Sequence, residues 1–203
     1  GVEIVEASGP DIEQAIPVNS LRYFVYESIL NHIGDTVANV MLADVRDIVF
    51  QRDPFDFDME SRLCCFLEAE CATLGSSFIN AGWIAAAYGK EVLEKLAHFP
   101  VSCSGTTMGP AAPMREYVQT MTKELNAAAD RVPFIMHVIP GIDQAVHNYL
   151  LHTGSFGNAK VFSNEHGPIW TMNYVSDDAV RFSKRGLLVN EDGVEFNVLH
   201  QYD

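Results

Sequence analysis

The sequence predicts an α/β fold, a three-layer sandwich around a mostly parallel sheet, and three observations lead to it. Asn39–Ala43 and residues 63–67 are short apolar runs without polar alternation, the pattern of strands buried on both faces. Longer stretches with apolar residues at helical spacing fall between such runs. The alternation continues along one contiguous length with no internal repeat and no low-complexity linker, the order of elements that lays helices onto a sheet. At 203 residues the chain fits a single domain, 1–203, that buries a core without disulfides or metal.

Taken in order, residues 2–5 alternate and read as a strand, broken by Ser8-Gly9-Pro10. Residues 17–20 open a helix with Ser20 as its capping residue. Leu21, Phe24, Val25, Ser28, Ile29 and His32 fall on one face of it before Gly34 stops it. The strand at 39–43 ends at Asp44, and 63–67 forms a second interior strand. Helical spacing marks 84–99, 112–130 and 142–152. Between the first two of these, residues 102–109 are rich in Ser, Thr and Gly; with no Lys they form no phosphate loop and read as a surface loop. Short strands at 159–162, 187–189 and 196–199 complete the chain.

Composition narrows the partners. Lys plus Arg is 13 and Asp plus Glu is 27, a net charge of −14 that repels nucleic-acid backbones and anionic membrane faces. No apolar run reaches the ~18–20 residues of a membrane-spanning helix. The four cysteines include adjacent Cys64 and Cys65, unsuited to pairing with each other, and form no C-x-x-C motif. They read as buried free thiols of a reducing compartment, which with the lack of a signal peptide gives a cytoplasmic expectation. A chain that starts at Gly1 and stops at Asp203 reads as a fragment cut at both ends.

The most informative segment is 41–55, where a buried strand delivers Asp44 and then Asp47 as the chain leaves the sheet. Ligands of open α/β sheets bind beyond the carboxyl ends of strands. Two carboxylates converging there repel each other unless a cation lies between them. Mg²⁺ or Mn²⁺ suits oxygen ligands and shares its shell with phosphates, which would let an acidic protein hold a nucleotide diphosphate. The competing reading is a plain turn in which Asp44 caps backbone and Asp47 pairs with Arg46 or Arg52. A zinc site is disfavoured, because His147 and His152 are five residues apart and miss one helical face. Asp143, after Pro140-Gly141, occupies a helix start, where its plain role is to complement the dipole.

The string Ala43-Asp44-Val45-Arg46-Asp47, followed by Phe50-Gln51-Arg52-Asp53-Pro54-Phe55, resembles the DxD region of GT-A nucleotide-sugar glycosyltransferases. Three later segments agree in order: Asn80-Ala81-Gly82, similar to the turn lining the sugar pocket; Asp143-Gln144, similar to the family's Asp-Gln helix start; and His200-Gln201-Tyr202-Asp203, similar to its closing stretch. The resemblance covers 19–203 and departs in two ways. The motif is D-x-x-D, and the first nucleotide-binding strand is missing, so that 2–5 would be the second strand of the fold.

The resemblance implies a GT-A fold and transfer of a sugar from a nucleotide-diphosphate donor, UDP-linked, to a carbohydrate acceptor. It implies metal ligation of Mn²⁺ or Mg²⁺ by Asp44, Asp47 and His200, and a catalytic role for Asp143 facing the transferred sugar. Asp44, Asn80, Ala81, Gly82 and Gln144 would bind the donor, with 102–109 beside the acceptor. Arg22 reads either as a solvated helix residue or as a bidentate contact to a carboxylate of the metal motif or to the donor diphosphate, and Arg46 as an ion pair to a neighbouring Asp or a phosphate contact. Gly82 is expected to allow close backbone approach. The segment 164–170 could offer a sugar platform, although Trp170 is more simply a core residue. The alternatives are a nucleotidyltransferase of similar sheet topology and a non-catalytic carbohydrate-binding domain.

Overall fold

The computed structural model describes residues 17–34, 36–132, 135, 139–173 and 175–202. The strand expected at 2–5, the break at 8–10, His137 and Asp203 lie outside the described residues. The architecture is α/β, with mixed sheets.

Helix α1 (Val18–Ile33) is opened by Pro17, whose carbonyl accepts from the amides of Ser20 and Leu21, both at 2.9 Å. Ser20 is therefore an interior, buried residue and not the cap. The buried line runs through Ser20, Tyr23 and Leu30, rotated from the expected face because Tyr23 turns toward Tyr117 of a later helix. Gly34, at φ +55°, ends the helix in a conformation that favours glycine.

Strands β1 (Asn39–Ala43), β2 (Ile48–Phe50) and β3 (Cys64–Leu67) follow. Next come α2 (Phe78–Tyr88) and α3 (Lys90–Leu96). The sequence pattern reads as one helix at 84–99; Gly89 at φ +87° divides it, and Ser77 starts α2 earlier by accepting from the amide of Asn80 at 3.3 Å. Strand β4 (Ser102–Pro110) replaces the expected surface loop and is buried along almost its whole length. Helices α4 (Ala111–Arg131) and α5 (Ile142–His152) match the sequence pattern closely. Five short strands end the chain: β5 (Lys160–Phe162), β6 (Ile169–Thr171), β7 (Arg181–Phe182), β8 (Leu188–Val189) and β9 (Val198–His200).

The four-stranded sheet has the order β1-β4-β3-β5. β4 runs antiparallel to both neighbours, and among the described residues only β3–β5 is a parallel pair in it, so the sheet is not mostly parallel. A second sheet has the order β2-β9-β6, and β7 pairs with β8. Alternation along β3 assigns the two faces. Cys65 packs with Tyr23, Met114, Val118, Ile142 and Val146 under the helices, whereas Cys64 and Phe66 pack with Met108 of β4 and with Ile169 and Val198 of the second sheet. The layers are thus helices, four-stranded sheet and small sheet.

β4 escaped the sequence reading because its Ser and Thr carry no apolar pattern, yet the backbone of Ser102 and Ser104 is matched by a polar face of α5. The last β1–β4 bond runs from the Asp44 amide to the Gly105 carbonyl at 2.9 Å. Beyond it, Ser104 donates its amide to Gln144 Oε1 at 2.7 Å and Ser102 donates its amide to Asn148 Oδ1 at 2.8 Å. Asn148 Nδ2 donates in return to the Ser102 carbonyl at 2.8 Å. Ser102 Oγ and Tyr117 Oη flank the ring of His147 at 2.9 and 3.0 Å, and burial lowers that ring's pKa to about 3. Asn148 is the fully buried clamp of this seam. Asn148→Ala is expected to strand a buried amide and carbonyl and to cost at least ~2 kcal/mol in urea unfolding, with an unchanged m-value; a loss below ~0.5 kcal/mol would show that the seam is not a stability determinant.

Candidate functional site

Where β1 ends, the chain crosses from one sheet to the other. Asp44 is the first residue beyond β1, and Asp47 immediately precedes β2. β2 pairs antiparallel with β9, placing Ile48 opposite His200, and the Gln201 amide donates to the Asp47 carbonyl at 2.8 Å. This register brings the fully buried His200 ring to both acids. Its Nε2 lies 3.6 Å from Asp44 Oδ2 and 3.8 Å from Asp47 Oδ1, and one ligand atom from each residue falls within 4.8 Å of the others. Nε2 has no hydrogen-bond partner despite its burial. Gly105 completes the cradle: a Cβ there would overlap Asp44 Oδ2 and stand 2.9 Å from His200 Cε1. An orphaned nitrogen facing two carboxylates across a gap too wide for hydrogen bonds is a donor set that can hold a metal ion.

Charge within the cluster is tightly balanced. Burial works against the His200 imidazolium, but Cys103, Asp44 and Asp47 outweigh it and raise its pKa to about 10. Burial would likewise raise the Asp44 carboxyl, yet His200 and Arg22 hold it below its usual range. Arg22, from the first turns of α1, spans two acids. Its Nη1 donates to Asp44 Oδ1 and its Nη2 donates to Asp143 Oδ2 at 2.6 Å. Asp143 is 2% exposed; burial raises its carboxyl and Arg22 opposes that rise. Ser104 Oγ also donates to Asp143 Oδ2, at 3.3 Å. Gln144 is fixed at both ends, accepting from the Ser104 amide and donating Nε2 to Glu68 Oε1 at 3.0 Å. Burial pushes the Glu68 carboxyl up.

Arg22, Asp44, Glu68, Asp143 and Gln144 line a cleft of ≈180 Å³, which Asn80 also reaches. A second hollow of ≈490 Å³ opens on the other side of Asp44, between α1 at Val18 and Tyr26 and the loop carrying Val45 and Arg46. Asp44 is common to both.

The structure brings together Arg22, Asp44, Asp47, Asp143, Gln144 and His200 from distant parts of the sequence. Arg46 lies exposed in the larger hollow and pairs with no carboxylate among the described residues. The turn reading of the acidic segment does not hold, since Arg52 pairs with Asp56 at 2.7 Å and Asp44 binds Arg22. Asn80 reaches the cleft, but from the first turn of a helix and not from a turn between elements, its Nδ2 donating to Ser77 Oγ at 3.0 Å. Ala81 and Gly82 are not among the cleft residues, and a Cβ on the exposed Gly82 would meet nothing within 4 Å. The glycine that permits close approach is Gly105. Trp170 is core, stacked on Phe196 at 4.9 Å. All four cysteines are free, and Cys71 is exposed, contrary to the buried expectation.

Sequence reasoning missed Glu68, Cys103, Ser104 and Gly105. Glu68 had a usable signal: it follows the apolar run 63–67 just as Asp44 follows 39–43. The other three were hidden in a segment that reads as loop.

No known protein family and no curated protein matches the chain. Among the described residues no helix is long and apolar enough to cross a membrane.

Two outcomes follow from this geometry. Gly105→Ala should weaken divalent-cation binding at least ~10-fold, read by Mn²⁺ titration, because its methyl group occupies the space beside Asp44; unaltered affinity would place the cation elsewhere. A cation must also displace the His200 proton held up to about 10. Its apparent affinity should therefore rise with pH from 6 to 9, with about one proton released per ion in paired-buffer calorimetry. Release of no proton would exclude His200 as a ligand.

Proposed function

We propose that the chain is a metal-dependent glycosyltransferase of the GT-A type, moving a sugar from a nucleotide-diphosphate donor, UDP-linked, to a carbohydrate acceptor. Asp44, Asp47 and His200 hold Mn²⁺ or Mg²⁺ in this reading. The observation that carries it is the unpartnered His200 Nε2 facing Asp44 and Asp47 at the edge of a cleft whose inner wall is Asp143. The ordered resemblance of the acidic segment, Asp143-Gln144 and His200 to GT-A transferases supports the same reading.

When bound, the cation neutralises a diphosphate leaving group. The chain's own residues do the rest. At a net charge of −14 the protein needs local cations to receive an anionic donor, and Arg22 and Arg46 supply them on the walls of the larger hollow. Asp143 opposes positive charge growing on the sugar ring as its bond to the leaving group breaks, an oxocarbenium-like state that a buried carboxylate stabilises strongly. Arg22, paired with Asp143 at 2.6 Å, opposes the rise that burial imposes on its carboxyl. Gln144 and Asn80 offer polar contacts to sugar hydroxyls from the cleft wall.

The test is release of UDP from UDP-sugars with Mn²⁺, with EDTA as control. Asp47→Asn is expected to weaken Mn²⁺-dependent UDP binding on the order of 100-fold with the melting temperature nearly intact. Asp143→Asn should leave donor affinity within about threefold and lower turnover ~10²–10³-fold, because it removes an interaction made in the transition state. Wild-type turnover that survives EDTA, or wild-type rates in Asp143→Asn, would overturn the reading.

A further inference from the structure

We infer that Cys103 is a positioning residue for the cation site: its sulfur holds the N–H of His200 Nδ1, so that Nε2 is the nitrogen left to offer a lone pair to a cation between Asp44 and Asp47. The inference rests on the cation reading above and concerns what prepares the histidine for it.

A neutral imidazole has one N–H and one lone pair, and whatever meets the first nitrogen decides which function the second performs. His200 is fully buried, so water does not make that choice. On one side of the ring, Nδ1 lies 3.6 Å from Cys103 Sγ. On the other, Nε2 has no hydrogen-bond partner and faces Asp44 and Asp47 at 3.6 and 3.8 Å. Among the described residues no other hydrogen bond holds the ring. With the proton on Nδ1, that N–H donates a hydrogen bond to sulfur, and Nε2 is the nitrogen that can ligate. In the opposite tautomer an N–H would point between the two carboxylates and occupy the gap itself.

Cys103 is 2% exposed and unpaired in any disulfide, so it is a dedicated neighbour of this ring. The thiol is a poor ligand for hard cations that favour oxygen, which makes it suited to an outer position. Its place on β4 is also significant. Alternation along a strand turns Cys103 and Gly105 to the same side. One strand face therefore supplies a sulfur that holds the ring and, two residues on, an absent side chain that leaves room for Asp44 Oδ2. Outer partners that fix a ligating histidine typically change metal affinity ~10–100-fold when removed.

Mn²⁺ titration followed by electron paramagnetic resonance, with thermal melting of each protein, tests this. Cys103→Ala is expected to bind Mn²⁺ ~10–100-fold more weakly than wild type while folding to the same far-ultraviolet spectrum. Cys103→Ser, which restores an acceptor, should recover at least ~3-fold of that affinity. A mere packing role would lower the melting temperature and leave Mn²⁺ affinity unmoved. Wild-type affinity in Cys103→Ala, or a Ser variant no better than Ala, overturns the assignment to Cys103. Absence of Mn²⁺ binding by the wild-type protein, with and without UDP, overturns the cation reading itself.

Discussion

The site depends on a mismatch in strand length. β1 ends its pairing with β4 at Asp44 and Gly105, but β4 extends a further three residues toward Ser102. On the edge away from β3 those residues need hydrogen-bond partners, and among the described residues no strand continues there to provide any. Gln144 and Asn148 of α5 substitute for the missing strand by bonding directly to the backbone of Ser104 and Ser102. Because the substitute is a helix, its first turn also brings Asp143 to the place a strand would have filled. The opening beyond β1 and the buried acid that faces it have one origin.

Charge settles around that opening by sharing. A buried carboxylate alone is costly, and a buried ion pair only partly recovers the cost. Here one guanidinium serves two acids, Asp44 and Asp143, while His200 lies between Asp44 and Asp47. Asp44 is the shared member: Oδ1 belongs to Arg22 and Oδ2 faces His200. The His200 end is therefore linked to Asp143 through three side-chain contacts, His200–Asp44, Asp44–Arg22 and Arg22–Asp143.

Much of this was legible before the fold was known, and the pattern of success has a physical cause. Asp44, Asp47 and Asp143 stand at the ends of elements with clean apolar periodicity, so their place beyond a strand or at a helix start could be read, whereas His200, a lone histidine on a strand, was singled out only through the resemblance to GT-A transferases. Helices α4 and α5 and strands β1 and β3 were recovered for the same reason. β4 was not, because a strand whose polar groups are satisfied by a neighbouring helix shows no apolar alternation; that pairing exists only in three dimensions. With β4 went Cys103, Ser104 and Gly105, and the close-approach role fell to Gly82, a glycine in a more familiar-looking string. Gly89 was invisible too, since a single positive φ divides α2 from α3 without disturbing their hydrophobic spacing.

The crossing of the chain between two sheets has a mechanical consequence. Asp44 hangs from the four-stranded sheet, whereas His200 belongs to the small sheet that covers its other face. The small sheet is built from strands of three residues each, a modest unit beside the helical side of the core. A ligand that grips Asp44 and His200 together fastens that unit to the rest of the domain. By mass action, its binding free energy is added to the work of peeling the small sheet away. Amide protection in β6 and β9 is then a gauge of occupancy, and the C-terminal part of the chain behaves as a door whose latch is the ligand.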